Sequence, residues 1–387
     1  MSSTSRIILT QLPQELIDHI VLRVDGSRYL KQCALAHRSM LHMSQRRIFE
    51  SLAIIITHAK DRIEPSQRLL GVFIASPHLA RYVRMFNILA YDIIAQGEAA
   101  DQDSAGEVAL HVILPMLSNL EILHLAFPKR RISNNLVHAL ALPSLVALTI
   151  EADEVHRSIL DALPCLQQLH CINVLWISGT ETVPLEPALL PIILKLQLTY
   201  YHLPSRIEAL TDLFTSHGYV DKLISLDVTW FTISYARLDK LLLHCQKTIQ
   251  QLALRCPRSL GNGQPMPDIT VLHDLQELGI MFLGNLEMHL REQQWLWLFE
   301  TLEFVRPLRK LALHFSEQKP ALIVRDPAKW RQLDDLLASP RRKFATVEFS
   351  CVERAQKLLQ QNLPRTTANL GSNLRIRTGG LSPNFFP

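Results

Sequence analysis

The pattern Leu-x-x-Leu-x-Leu returns along most of this chain, and no other feature restricts its fold as strongly. It stands in LSNLEILHLAF (117–127), LPSLVALTIEA (142–152) and LPCLQQLHCIN (163–173). Shortened copies follow in ILKLQL (193–198), KLISLDV (222–228), TIQQLALRC (248–256), DLQELGI (274–280) and PLRKLALHF (307–315). KFATVEFSC (343–351) reads as a last, degenerate copy, and RYVRMFNIL (81–89) and residues 49–56 as early ones. The first apolar positions of the nine clear copies are Leu120, Leu145, Leu166, Ile193, Leu223, Ile249, Leu275, Leu308 and Phe344, with gaps of 25, 21, 27, 30, 26, 26, 33 and 36. A repeat of this length holds one short apolar strand and one return segment. One such unit cannot bury its apolar face alone, whereas stacked neighbours bury a continuous core. The expected class is an α/β solenoid with a curved parallel sheet, over residues 51–360.

The stretches between strands carry helical periodicity. YARLDKLLLHC (235–245) sets Leu238, Leu241, Leu242 and Cys245 on one face, and EQQWLWLFETLEFV (292–305) does the same with Trp295, Leu298, Phe299 and Leu302. Trp295 and Trp297 sit two positions apart, about 200° around a helix, so one is expected in the core and the other half exposed. Pro115 interrupts the pattern of 107–120 and predicts a kink or a split. Residues 93–106 and 257–268 read as loops, and 361–387 as a mobile C-terminal tail with little periodicity.

The first fifty residues differ. Pro13 suits a first helical turn, and Leu12, Leu16, Ile20 and Val24 repeat every four residues, widened by Ile17 and Val21. Asp25-Gly26-Ser27 breaks this helix. Two further patterns follow, one on Tyr29, Leu30, Cys33, Ala34 and Ala36, the other on Met40, Leu41, Met43, Ile48 and Phe49. Three such short helices bury little by themselves and need support from the chain that follows or from a partner.

Leu12-Pro13, Glu15-Leu16-Ile17 and Ile20, then residues 33–39 (CALAHRS) and Arg47-Ile48-Phe49, resemble in order and spacing the F-box in its fungal form. The F-box is the motif that docks on the Skp adaptor of Skp–cullin–F-box ubiquitin ligases. The resemblance covers about a tenth of the chain. It implies that residues 1–50 form an F-box-like head and that Leu12, Pro13, Leu16, Ile17 and Ile20 lie at or near the adaptor surface. The array behind it resembles the irregular leucine-rich repeats that follow F-boxes in many such proteins. The Asn or Cys that regular repeats place after each strand is mostly missing, with Phe127, Pro128 and Arg258 in those regions, so an uneven solenoid is expected. The resemblance implies a non-catalytic adaptor whose solenoid holds a target protein for ubiquitin transfer. The alternative is a protein-interaction scaffold in which the helical head only caps the array.

Other function classes find little support. The formal charge is +4 from 40 basic and 36 acidic residues, too balanced to call for a nucleic-acid partner. No run of about 18 apolar residues exists to span a membrane, and the N-terminus lacks the layout of a signal peptide. The six cysteines form no CxxC pair, so neither a metal site nor a disulfide framework is expected. No phosphate-binding glycine loop, HExxH or GxSxG occurs, and no catalytic residue or cofactor is assigned. The expected location is intracellular, cytoplasmic or nuclear.

Strand alternation turns the leucines inward and their neighbours outward. The outward charges nearest each strand, Glu151, Lys195, Asp227, Arg255, Glu277, Lys310 and Glu348, alternate in sign. They read as lateral ion pairs, as a mixed-charge surface for a target protein, or as both. His124, Gln168, His170, Gln197, Trp230 and His314 add polar and aromatic groups. The candidate target-binding residues are His124, His170, Lys195, Asp227, Arg255, Glu277 and Lys310.

Overall fold

A computed structural model describes residues 12–56, 64–90, 105–131, 136, 139–140, 142–156, 158–161, 163–172, 174, 176–178, 191–199, 214–215, 218–229, 236–256, 266–282, 292–305, 308–315, 326–340, 342, 344–351 and 353–378. Two compact units appear, one of Met1–Leu166 with Ser178–Pro191, the other of Gln167–Ile177 with Ile192–Pro387. The division expected at residue 50 is therefore not the main one, because the helical head belongs to the same unit as the first strands.

The first unit opens with α1 (Gln14–Leu22), α2 (Ser27–Ala36) and α3 (Arg38–Glu50). Gly26, at φ 91°, makes the turn that Asp25-Gly26-Ser27 predicts. Ile17, Val21, Leu30, Met40 and Met43 form the core of this head, with Leu12, Val24, Cys33 and Ile48 packed around it. Glu50 ends α3, and β1 (Ser51–Ile56) starts at the next residue. Then come α4 (Pro65–Ala75), a 3-10 turn at Pro77–Tyr82, β2 (Met85–Ala90), α5 (Ala105–Met116), β3 (Ile122–Arg131), β4 (Ala147–His156) and α6 (Ser158–Asp161). Strands β1 to β4 pair in chain order, each parallel to the next. Pro115 falls in the last turn of α5, and the helix ends beside it at Met116, so the pattern is not split in two there.

The second unit holds β5 (Gln168–Ile172), β6 (Trp176–Ser178), β7 (Lys195–Thr199), β8 (Ser225–Thr229), α7 (Ala236–His244), β9 (Gln251–Cys256), β10 (Glu277–Phe282), α8 (Glu292–Phe304), β11 (Lys310–Phe315), α9 (Pro327–Leu337), β12 (Thr346–Cys351), α10 (Glu353–Asn362), α11 (Pro364–Leu370) and β13 (Leu374–Thr378). Strands β5 and β7 to β13 form a parallel run without a register break. One inward column reads Leu169, Leu196, Leu226, Leu252, Leu278, Leu311, Val347 and Leu374, and the next reads Cys171, Leu198, Val228, Leu254, Ile280, Leu313, Phe349 and Ile376.

Parallel strands, inward leucine columns and helical returns make each unit an α/β solenoid stack of the leucine-rich-repeat kind. The first apolar residue of every repeat, from Leu120 to Phe344, is buried. Before several strands the chain makes the same tight turn, in which Leu120 N–H donates to Leu117 O, Leu145 N–H to Leu142 O and Leu166 N–H to Leu163 O. A buried leucine contributes about 1.5–3 kcal/mol, so these columns dominate stability. Phe127 and Phe315 are buried just beyond the inward leucines, where regular repeats use Asn or Cys. The unevenness expected from that change lies in strand length, ten residues in β3 and β4 against five in β5, and in a register shift between Phe127 and Arg131.

Two expectations are corrected. The segment read as a mobile tail from residue 361 holds the end of α10, all of α11 and β13, which extends the sheet in register with β12; residues 379–387 lie outside the described set. Trp297 is buried as well as Trp295, because residues around Pro267 cover it and its Nε1–H donates to Pro267 O at 2.7 Å. For the loops expected at 93–106 and 257–268, residues 93–104 and 257–265 lie outside the described set, while 105–106 open α5.

Candidate functional site

Helix α1 divides its apolar residues between two faces. Ile17 and Val21 point into the head. Pro13, Leu16 and Ile20 point out, and Leu16 is 52% and Ile20 46% exposed. Ile17, expected near an adaptor surface, is instead only 2% exposed, since the four-residue stripe and its i+1 neighbours cannot all face the same way on a helix. Leu12 is half-buried against the core. The Gln14 side-chain amide donates to Ser39 O at 2.8 Å, tying the first turn of α1 to the start of α3. Just ahead of that junction, Leu35 in the last turn of α2 is 88% exposed. The Arg47 guanidinium donates to Leu22 O and closes the other end of α1 onto α3. The exposed apolar residues are thus carried on a helix pinned at both ends.

The outward sheet face of the second unit falls into columns. Gln168, Lys195, Ser225, Gln251, Glu277, Lys310 and Thr346 align in one, and His170, Gln197, Asp227, Ala253, Gly279, Ala312 and Glu348 in the next. The alternating charges do not form a single ladder, because Asp227 and Glu348 stand two residues further along their strands than Lys195, Glu277 and Lys310, and Arg255 two further again. Register does bring Glu277 and Lys310 together, with Lys310 Nζ 3.2 Å from Glu277 Oε2. A half-exposed pair of this kind contributes at most about 1 kcal/mol, so it adds more to register than to stability. His170 Nε2 lies 3.1 Å from Thr199 Oγ1, two columns of one polar patch linked by a hydrogen bond. Glu348 pairs with Arg377 of β13 at 3.1 Å, a partner hidden from sequence reading by the expected tail. Lys195 is exposed and Asp227 half-buried, whereas His314 is buried and offers no contact surface. For Arg255 only the backbone register is described, and Trp230 lies outside the described residues.

No family model matches the chain. No curated protein matches it either. Among solved structures, an internalin from Listeria monocytogenes aligns over 95% of both chains at 13% identity and a TM-score of 0.33. A likeness at that level says nothing about what this chain binds.

His124 stands in the first unit, in register with Asn87 and Thr149. Its Nε2 is enclosed, with no hydrogen-bond partner among the described residues. Burial lowers its pKa below the ordinary 6.5, against a smaller opposing pull from Glu151. The folded state therefore holds it neutral more firmly than the unfolded chain does. Its contribution is intact above pH 6.5 and is lost as pH falls from there toward the folded-state value. His124→Gln is expected to lose less stability than the parent between pH 7 and pH 5 in urea titrations, and an unchanged difference would sink this assignment.

Burial pushes the thiols of Cys171 and Cys245 up to about 12, so both stay protonated as core groups. Among the described residues no group of three or more His, Cys, Asp or Glu is placed to hold a metal ion. No helix among them is long and apolar enough to cross a membrane.

Proposed function

We propose that the chain is a non-catalytic substrate-recognition adaptor of a Skp–cullin–F-box ubiquitin ligase. In this reading α1 docks on the Skp adaptor, and the outward sheet face bearing His170, Lys195, Asp227, Arg255, Glu277 and Lys310, with His124 in the first unit, receives a target protein inside the cell. The observation that supports it is the exposed stripe of Pro13, Leu16 and Ile20 on a helix whose other face is fully packed. A monomer gains nothing from keeping such apolar side chains in water, and patches of this kind serve as contact sites. Ubiquitin transfer would then follow from proximity, with no residue of this chain doing chemistry.

The second reading, that the head only caps the sheet, also has an observation behind it. Strand β1 follows α3 without a break, and the Phe49 ring packs 6.3 Å from that of Phe73 on α4. A pull-down with purified Skp adaptor separates the two. The intact chain is expected to bind, and Leu16→Asp with Ile20→Asp to reduce binding to background while leaving the fold intact. Ile17 is unsuitable as a probe, since a charge there would disrupt the head itself. A folded intact chain that fails to bind would leave the cap as the role of these helices.

A further inference from the structure

The inward columns of the second unit end unfinished at β13. Leu311 and Leu313 of β11 and Val347 and Phe349 of β12 are buried, whereas Leu374 and Ile376 of β13 are only half-buried. Both stand in register with Val347 and Phe349, so they point the same way, and their place at the edge is what leaves them partly wet. Strand β13 pairs with β12 on one side, and among the described residues no strand lies on the other. One row of its backbone N–H and C=O groups therefore has no strand partner. The outward residues of the same strand are both arginines. Arg377 Nε lies 3.1 Å from Glu348 Oε1. Arg375 is exposed, and its side chain makes no hydrogen bond or ion pair among the described residues.

We propose that an extended segment of a partner protein, with acidic and apolar residues in alternation, adds to β13 as a further strand. Backbone, apolar surface and charge each specify part of that chemistry. The open row of backbone groups accepts a chain in the extended conformation. An added strand sets every second side chain beside Leu374 and Ile376, and apolar residues there complete their cover. The intervening side chains stand beside Arg375 and Arg377, where carboxylates meet guanidinium donors. A second copy of this chain does not match. A two-fold axis runs the two β13 strands antiparallel, and whether it is centred on Arg375, Ile376 or Arg377, arginine faces arginine. Like charges directly opposite are unfavourable. Residues 379–387 contain no Asp or Glu, so the chain's own C-terminal stretch brings no acidic side chain to this edge. The pairing is independent of the adaptor reading, since it involves neither α1 nor the head.

Fluorescence anisotropy of a labelled peptide, Glu-Val-Glu-Val-Glu, titrated with the full chain tests the strand addition. Binding is expected to saturate and to weaken as salt is raised. Arg375→Glu should lower the affinity at least tenfold with an unchanged melting temperature, because its side chain is exposed and holds no partner in the fold. Arg331→Glu, on the exposed side of α9, should bind like the parent. Two further peptides carry N-methyl groups, one at the valines and one at the glutamates. They keep every side chain, and the one whose lost N–H groups face β13 should no longer bind. A folded parent that fails to bind the unmodified peptide would overturn the proposal. So would equal binding of both N-methylated peptides, or an equal loss in Arg331→Glu. Binding that emerges only after removal of residues 379–387 would give the edge to the chain's own tail instead. Self-association of the parent that blocks the peptide would give it to a second copy.

Discussion

Replacing Trp330 by alanine is expected to cost about 3–5 kcal/mol of stability, the range for deleting a buried aromatic ring. Trp330 is fully buried on α9. Its ring lies 5.6 Å from Trp295 in an edge-on arrangement, 5.7 Å from Phe315 and 6.4 Å from Phe349. Those partners come from α8, β11 and β12, so one side chain joins successive repeats. Aromatic pairs at these separations add about 0.5–1.5 kcal/mol beyond their buried area. The cavity left by alanine would be lined by rigid rings and strand residues that collapse poorly. Arg331→Ala, on the exposed side of the same helix, should change stability by no more than about 0.5 kcal/mol. Urea unfolding of the pair gives the comparison, and a Trp330→Ala loss under about 1 kcal/mol would contradict the central place given to this cluster.

The second large effect is expected at Asp334. Helix α11 starts at Pro364, and its N-cap residue, Leu363, has no side chain able to accept a hydrogen bond. Asp334 of α9 supplies the cap from a distance in sequence. Its Oδ2 accepts from Arg365 N–H at 3.0 Å and its Oδ1 from Thr366 N–H at 2.7 Å. The neighbouring Asp335 carboxylate pairs with the Arg365 guanidinium, and Asn369 Nδ2 donates to Ala338 O at 2.9 Å. Asp334 is buried, so alanine would leave two amide donors without acceptors and water poorly placed to replace them. An unsatisfied buried donor costs about 1–3 kcal/mol, and a lost N-cap about 0.5–2 kcal/mol. Asp334→Ala is expected to lose about 2–3 kcal/mol, and Asp334→Asn, which keeps one acceptor oxygen, less. The loss should be local. Amide hydrogen exchange in α11 and β13 should quicken while β7 to β10 keep their protection. Uniform quickening across the second unit would contradict this account.

The two effects belong to different layers of legibility. Trp295 appears in the helical stripe of 292–305, and a buried ring there is expected from the sequence alone. Asp334 carries no such signal, because it is an aspartate in the middle of a helix whose partners lie more than 30 residues on. The same gap hid β13. LRIRT has strand alternation, yet it is short, charged and preceded by polar residues, and only the open edge of β12 makes it a strand.

The exposed apolar stripe of α1 shows the same division within one helix. A four-residue spacing marks α1 as amphipathic, but Leu16, Ile17 and Ile20 are equally apolar. Which of them faces water depends on where α2 and α3 lie. The structure assigns Ile17 to the core and Leu16 and Ile20 to the surface. On the sheet, alternating charge is readable along the sequence, whereas pairing depends on register, and register joins Glu277 to Lys310 while separating Lys195 from Asp227 by a column.

Local patterning thus determines the repeat, its parallel strands and the inward columns from Leu169 to Val347, because alternation in a strand is set by backbone geometry and burial of leucine is the largest favourable term. The tertiary structure decides what depends on neighbours distant in sequence: the cover over Trp297, the cap at α11, the lateral ion pair, and the apolar face of α1 that remains in water. Those features rest on distances between chain segments, which periodicity does not encode.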